Sequence, residues 1–257
     1  MTEANTSPTL SAIIITKNEA LDLPECLKSL DFCDEIIIID SGSSDETAAI
    51  AQSASCRFYS TSDWPGFGIQ KQRALDKARS DWVLSIDADE RVTPELQAEI
   101  KQAIKSSDIS GFYIQRKSQF LGRWMKHGGW YPDRILRLGR RINARFDGAA
   151  VHEKLVISGP TDQLKSPLLH YSYRSIEEVL SKQKAYALAG ATQKALAGKK
   201  GGLLYAVGGS FIAFIKHYLI QLGFLDGQSG FVSALAKSQE TFWKYMATEE
   251  VSRKHIT

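Results

Sequence analysis

Two hydrophobic periods alternate along the first hundred residues. "LSAIII" (10–15) and "EIIIID" (35–40) are apolar runs with no polar alternation, the pattern of strands buried on both faces. "RFYS" (57–60) and "WVLSID" (82–87) read as two further strands. Between them "NEALDLPECLKSL" (18–30), "SDETAAIAQSA" (44–54) and "FGIQKQRALDKARS" (67–80) read as helices. Pro24 fits the first of these only if it lies in the opening turn, and Ser43 or Ser44 is the expected cap of the second. Thr93 and Pro94 open a fourth helix that runs to about Lys105. Strands separated by helices predict a doubly wound α/β unit with a parallel sheet covered on both faces. Such sheets bind ligands at the carboxyl ends of their strands.

Beyond residue 111 the pattern changes. "GFYIQRKSQFLG", "RILRLGRR", "ARFDGAAVHEKLVI" and "LLHYSY" are short strand-like pieces joined by loops, up to about residue 172. From Ser175 the chain reads helical over 175–197, 203–225 and 228–247, interrupted by "GKKGG" and "DGQSG". The most apolar stretch, 203–215, is followed by Lys216 and His217. It falls short of the roughly 20 residues of a membrane span, which predicts a buried or interfacial helix. The expected organisation is one domain over 8–172, divided into 8–105 and 106–172, and a helical region over 173–257.

The bulk numbers add a few constraints. At 257 residues, 43% apolar and 24% charged, the chain can bury one α/β core with an appendage, and disorder is excluded. The cysteines, Cys26, Cys33 and Cys56, form no C-x-x-C, and their odd number predicts a reducing compartment, the cytoplasm. The first ten residues have neither the basic nor the apolar segment of a secretion signal. Net charge is only +3, yet between Arg116 and Arg145 nine Lys and Arg face a single acid, Asp133. That segment suits phosphates or an anionic membrane, with a solvated basic face as the alternative. Nothing points to nucleic acid.

Three polar clusters sit at predicted strand ends: "TKNEA" after the first, "DSGSSDE" after the second and "DADE" after the fourth. In an extended segment Asp87 and Asp89, two positions apart, would face the same way and could converge on Mg²⁺ or Mn²⁺ with substrate phosphates. The alternative is an acidic turn leading into the Thr93 helix. Asp40 could accept hydrogen bonds from a base or ribose, or merely cap its turn. A G-x-G-x-x-G dinucleotide loop and a G-x-x-x-x-G-K-[ST] phosphate loop are both absent, against oxidoreductases and P-loop enzymes. A sugar-nucleotide pyrophosphorylase is disfavoured too, because "TKNEALDLPE" is not a Gly-rich basic loop.

In this order, "IIITKNE", "IIIIDSGSSDET" and "WVLSIDADE" resemble the nucleotide-sugar-binding half of family-two inverting glycosyltransferases. The resemblance implies a GT-A fold, here with a C-terminal helical extension, and Mg²⁺ or Mn²⁺ as cofactor. By position it implies that Thr16, Glu19 and Asp40 hold the uracil and ribose of a UDP-sugar. Lys71 lies near the nucleotide, Asp87 on the ribose side, and Asp89 is the direct metal ligand. Relatives often have Asn where this chain has Gln72.

In the second half, "GGWYPDRILRLGRRINARFDGAAVHEK" matches a family pattern of an acid before an Arg-containing element and a His some 20 residues on. Asp133 fits the general base, with Glu153 as second choice and Asp147 as third. His152 fits a metal ligand, and Arg137, with Arg134, could stabilise the departing diphosphate. Each has a plain alternative: an ion pair for Asp133, a structural histidine for His152. "WYPDRILRL", "RFDGAAVHE", "LLHYSY" and "FLDGQSGFVSALAKSQETFWKY" further resemble bacterial glucosyltransferases of the lipopolysaccharide inner core. The implied partners are UDP-glucose, a lipid A-linked core acceptor and the anionic cytoplasmic face of the inner membrane, against which the apolar helices with Lys194, Lys199, Lys200, Lys216 and His217 could rest. A helical lid or a homo-oligomer contact is the other use for those helices. The neighbouring alternative is a polyprenyl-phosphate glycosyltransferase; one of another class is a non-catalytic nucleotide-sugar binder.

Overall fold

The computed structural model describes residues 7–106, 108–147 and 153–254. The expected α/β order holds. Strands β1 (Leu10–Thr16), β2 (Glu35–Asp40), β3 (Arg57–Ser60) and β4 (Trp82–Ser85) alternate with helices α1 (Leu23–Lys28), α2 (Thr47–Ser53) and α3 (Phe67–Lys77). These four strands are parallel, with β1 between β2 and β4 and β3 outside β2. A short β5 (Glu90–Val92) precedes α4 (Pro94–Ala103), where the Thr93 hydroxyl accepts from the amide of Leu96 as expected of a cap.

The remaining strands are antiparallel. They are β6 (Gly111–Phe120), β7 (Arg123–Trp124), β8 (Asp133–Arg140), β9 (Ala144–Phe146), β10 (Leu155–Ile157) and β11 (Thr161–Tyr173). The large sheet runs β3-β2-β1-β4-β8-β6-β11-β5, with β7 paired to β6, while β9 and β10 form a separate pair. Insertion of β8 antiparallel beside β4, with Leu84 opposite Leu138, brings the basic strand alongside the acidic end of β4.

Two helices are shorter than their apolar patterns suggest. α1 starts only at Leu23, because Asn18 is left-handed (φ 57°) and Pro24 must sit at the start of a helix. α2 starts at Thr47, and neither Ser43 nor Ser44 caps it. The Ser43 hydroxyl is spent on Asp40, and the Ser44 amide donates to Asn18.

The described residues fall into two compact units, one within Met1–Arg116 and Asp133–His170, the other within Lys117–Pro132 and Tyr171–Thr257. The first has a core on each face of the sheet. Ile14, Ile38, Trp82, Leu84 and Leu96 fill one, Ile13, Ile37, Ile39, Leu75 and Val83 the other. All three cysteines are free, and Cys26 is buried.

The second unit is built on α5 (Ile176–Leu196), α6 (Leu203–Ile215) and α7 (Gly227–Lys254), with Phe120, Met125 and Val179 at its core. Asp226, 1% exposed, accepts from the amides of Lys126 and His127 and so pins the hairpin loop to the start of α7. The expected helix over 203–225 is broken. After Ile215 a π-helical turn (Lys216–Ile220) carries the helix on, then Leu222 turns left-handed. The turn lengthens the apolar helix to Leu203–Ile220, 18 residues of mean hydropathy 1.5 with 6% of them buried. By length and composition it could cross a membrane, which the 13 residues expected from the sequence could not.

Gly230 lies where α7 meets the preceding 3₁₀ turn: a Cβ there would stand 1.9 Å from the Gly223 carbonyl oxygen. Alanine usually strengthens a helix by up to ~1 kcal/mol over glycine. Gly230→Ala is expected instead to destabilise by about 1–3 kcal/mol, an overpacking cost. Urea unfolding measures it, and a variant as stable as the parent would contradict this packing.

Candidate active site

The carboxyl ends of β1, β2 and β4 hold the three polar clusters, and the first two are laced together. Parallel register sets Thr16 beside Asp40, and the Thr16 hydroxyl donates to Asp40 Oδ1 at 2.9 Å. The amides of Gly42 and Ser43 donate to Asp40 Oδ2 at 3.0 and 2.8 Å, and the Ser43 hydroxyl to Oδ1. Asp40 therefore organises its own turn. Across the loops, Asn18 Oδ1 accepts from the Ser44 amide at 2.8 Å, and the Glu19 amide donates to Thr47 Oγ1 at 2.7 Å. Gln70, fully buried on α3, donates to Ser41 Oγ and Thr61 Oγ1. Its neighbour Gln72 accepts from the Phe146 amide, which anchors α3 to β9.

The third cluster is a turn, closed by the Glu90 amide on the Asp87 carbonyl at 3.0 Å. The extended geometry that would aim Asp87 and Asp89 at one point is replaced, and the two acids take different partners. Asp89 Oδ2 lies 3.2 Å from His170 Nε2. Asp87 stands between two cations, Lys71 Nζ at 2.8 Å from Oδ1 and Arg137 Nη2 at Oδ2.

From Asp87 a chain of alternating charges extends both ways. Lys71 also reaches Glu153 Oε1 at 2.7 Å. Arg137 Nη2 also donates to Glu90 Oε1 at 2.8 Å, and Arg116 Nη1 approaches the same oxygen at 3.5 Å. Arg116 then grips Asp133 Oδ2 through Nε and Nη2, at 2.9 and 2.8 Å. The order is Glu153, Lys71, Asp87, Arg137, Glu90, Arg116, Asp133, and the two candidate bases are its ends. Arg116 and Asp133 are direct partners in the β6/β8 register.

Burial makes this chain consequential. Glu90 is 0% exposed, Lys71 6% and Arg137 7%. Isolated ions so placed would cost several kcal/mol each, so each interior member has an opposite charge on both sides. Burial works against the charge of Asp87, but Arg137 and then Lys71 more than offset it, and the carboxyl titrates well below its ordinary 3.8. Arg137 Nε is a buried donor without a hydrogen-bond partner among the described residues.

The structure thus joins Asp87, Lys71, Arg137, Glu153 and Asp133 in one network and places Thr16 with Asp40. His152 lies outside the described residues. Asp147 accepts from the Lys154 amide at 2.8 Å, a bond between the residues that follow β9 and precede β10. Arg134 is exposed. The basic segment is not simply a solvated face: besides Arg116 and Arg137, Arg140 lies over the Trp82 ring at 4.8 Å, and Arg141 donates to the Ser80 carbonyl.

Sequence reasoning gave Glu90 no task beyond supporting its turn, counted Arg116 only within the basic segment, and did not single out His170. The Glu90 carboxylate does support the turn, accepting the Asp87 amide, and it also meets Arg137 and Arg116. His170 lies inside "LLHYSY", one of the segments that carry the resemblance, but only the β11/β5 register, which puts it opposite Glu90, shows where it goes.

Among the described residues no group of three or more His, Cys, Asp and Glu side chains is disposed to hold a metal. A pair is present. The 3.2 Å between Asp89 Oδ2 and His170 Nε2 is near the roughly 3 Å edge between adjacent donors about 2.1 Å from a six-coordinate ion. The charge balance also suits a cation. Five carboxylates (Asp87, Asp89, Glu90, Asp133, Glu153) against three cations (Lys71, Arg116, Arg137) leave two negative charges.

Arg137→Met would strip a cation from both Asp87 and Glu90. It is expected to cost about 3–5 kcal/mol of stability at pH 7, read by urea unfolding. Because the native Asp87 carboxyl titrates below its unfolded value, its contribution is complete above about pH 4 and is lost as the pH falls further. The gap between parent and variant should therefore narrow below pH 4; a gap constant from pH 7 to 3 would contradict the assignment.

Comparison with known proteins follows the same outline. Residues 11–155 match the family described as glycosyl transferase family 2. The lipopolysaccharide core biosynthesis glycosyltransferase LpsC of Rhizobium meliloti is 31% identical over 96% of this chain and 93% of its own length. An uncharacterized glycosyltransferase of Rickettsia bellii is 28% identical over 95% of this chain and 87% of its own. The crystal structure of Staphylococcus aureus TarS 1–349 in complex with UDP-GlcNAc aligns over 96% of this chain and 92% of that one, with TM-score 0.49 and 15% identity.

Proposed function

This chain belongs to glycosyl transferase family 2, and on that premise we propose that it is a metal-dependent, inverting enzyme that transfers glucose from UDP-glucose to a heptose of a lipopolysaccharide inner core. The observation that carries the reading is the buried charge chain at the β4 end, which joins the D-x-D acid Asp87 to Asp133 and Glu153. The extent of the likeness to LpsC supports a core acceptor.

In this reading Thr16, Glu19 and Asp40 hold uracil and ribose in the laced loops, with Lys71 and Asp87 beside the ribose and diphosphate. Asp133 is the general base. Arg116 holds one of its oxygens, and the side chain keeps 34% of its surface exposed, so an acceptor hydroxyl can reach the other. The base takes the hydroxyl proton, and the acceptor oxygen bonds to the anomeric carbon from the face opposite the diphosphate. The bond from that carbon to the diphosphate oxygen breaks, inverting the centre, and UDP leaves with the electron pair. Glu153, held by Lys71, faces the acceptor hydroxyls. Asp89 would hold Mg²⁺ or Mn²⁺ with His170 beside it, and with His152 in the role first expected of it. A bound divalent ion would supply charge neutralisation at the departing diphosphate. Arg137 adds positive charge on the same side.

The acceptor's lipid gives the apolar helix a use. Leu204, Phe211, Ile212 and Ile220 on α6 and the turn after it are 66–88% exposed. The opposite side of α6 is taken by α7, where Ala206 is buried and Gly209 meets Tyr245. α7 carries the Lys237–Glu240–Lys244 ion pairs, unsuited to hydrocarbon. This favours a helix lying in the plane of an anionic leaflet, flanked by Lys199, Lys200 and Lys216, on a cytoplasmic peripheral enzyme.

Thermal-shift titration should show stabilisation by UDP-glucose with Mn²⁺ over GDP- and ADP-sugars, by mass action on the native state. Asp89→Ala should abolish both the Mn²⁺ dependence of that shift and transfer. Undiminished transfer would remove the metal assignment, and no shift with any nucleotide sugar would remove the donor assignment. Separately, the double variant Phe211→Ser/Ile212→Ser should lose most of its co-sedimentation with vesicles containing anionic phospholipid while keeping the nucleotide shift. Equal pelleting would exclude α6 as the docking element.

A further inference from the structure

Glu90 is the one acid of "DADE" with no role in the reading above, and it is the most deeply buried acid of the network, at 0% exposure. Its two oxygens do separate work. Oε2 accepts the Asp87 amide at 2.9 Å, within the turn that presents Asp87 and Asp89. Oε1 faces two guanidinium groups at once, Arg137 at 2.8 Å and Arg116 at 3.5 Å. Each Arg passes on to a different acid, Arg137 to Asp87 and Arg116 to Asp133. Two guanidinium groups beside one carboxylate oxygen repel one another, and the negative charge between them is what offsets that repulsion. The spacing between the donor-side acid and the acceptor-side acid therefore passes through Glu90.

We propose that Glu90 is a positioning residue: its carboxylate gathers Arg137 and Arg116 and so sets where Asp87 and Asp133 stand relative to each other. The proposal rests on the transferase reading for its kinetic consequence and not for its structural one. Glu90 touches neither substrate nor metal; it acts through the two arginines. Neutralising it leaves the buried Arg137 and the half-buried Arg116 facing each other, and they part. Asp133 then moves with Arg116, and Asp87 with Arg137. Donor affinity, which also draws on Thr16, Glu19, Asp40 and Lys71, changes less than the chemical step, which needs both acids in register. Misplacement of a reacting group by about 1 Å can cost on the order of a hundredfold in rate.

The test uses full-length Glu90→Gln and Glu90→Asp, assayed as UDP release from UDP-glucose with Mn²⁺ and a heptose-terminated core lipid acceptor, below the melting temperature of each variant. Glu90→Asp keeps the charge but withdraws it by one methylene, so it retains the fold should Glu90→Gln not. The expected result for either folded variant is a kcat lower by about ten- to a hundredfold, with the donor KM within about threefold. In an Arg116→Met background the further loss from Glu90→Gln should shrink, because the two substitutions break the same link. A folded variant with the parent's kcat, or losses that simply multiply, would overturn the proposal. Crystal structures of the variants decide it without turnover. Displacement of either guanidinium from its acid supports the proposal, and both pairs intact overturns it. If the parent transfers no sugar, the transferase reading fails while the crystallographic outcome still stands.

Discussion

Everything at the candidate site hangs on one electrostatic constraint: a buried ion must have its opposite beside it. Seven charged groups meet that constraint jointly, from Glu153 through Lys71, Asp87, Arg137, Glu90 and Arg116 to Asp133. The three cations are each shared by two acids, so no pair is independent of the next. Removing an interior member uncovers charge on both sides, which is costlier than losing an exposed pair. The chain also joins groups from α3, the β4–β5 turn, β6 and β8, so the same ions that line the site also tie its elements together.

The sheet explains how such a chain can exist. Three parallel strands end side by side and bring their polar loops to one edge. β8 then enters antiparallel next to β4 and supplies Arg137, and β6 pairs with β8 to supply Arg116. An all-parallel sheet would present only strand ends at that edge. The antiparallel insertion lays cationic side chains along the acidic turn. Farther out, the loops after β1 and β2 bond to one another through Asn18, Ser44, Glu19 and Thr47. That lattice ties the loop ends of β1 and β2 together before any ligand arrives, while Asp133 and Asp89, held by Arg116 and His170, keep 34% and 23% of their side-chain surface.

The second unit is held differently. Asp226 and the Trp130–Ser233 hydrogen bond fasten the hairpin to α7, and Gln183 fastens α5 to the Ala236 carbonyl of α7. Ser238 also donates to the Ser210 carbonyl of α6, while the large apolar side chains Leu204, Phe211 and Ile212 of α6 stay exposed. A helix with one side packed and the other apolar and bare has the form of an interfacial element. Its extra turn comes from a π-helical step, which no hydrophobic pattern signals.

How much was legible follows from range. Buried strands, helices and the Thr93 cap were readable because each depends on neighbours a few residues away. The strand-end acids were readable as a set because the fold class says where loops gather. The meaning of each acid was not. Asp87 and Asp89 were expected to point together, and the turn closed by Glu90 separates them. The plain alternative for Asp133, an ion pair, would be sought at its chain neighbours Arg134 and Arg137, yet the pairing goes to Arg116, across the β6/β8 ladder.

By itself, then, the sequence determined the α/β order, the family and the edge of the sheet where chemistry gathers, since these rest on local periodicity and on motif order along the chain. Only the tertiary structure decided which charges meet. Arg137 reaches Asp87 and Glu90 over 50 and 47 residues of chain, and His170 reaches Asp89 from a strand whose motif named no partner for it. Those pairings depend on strand register, where a shift of one residue turns every side chain to the other face, and no local pattern encodes that choice.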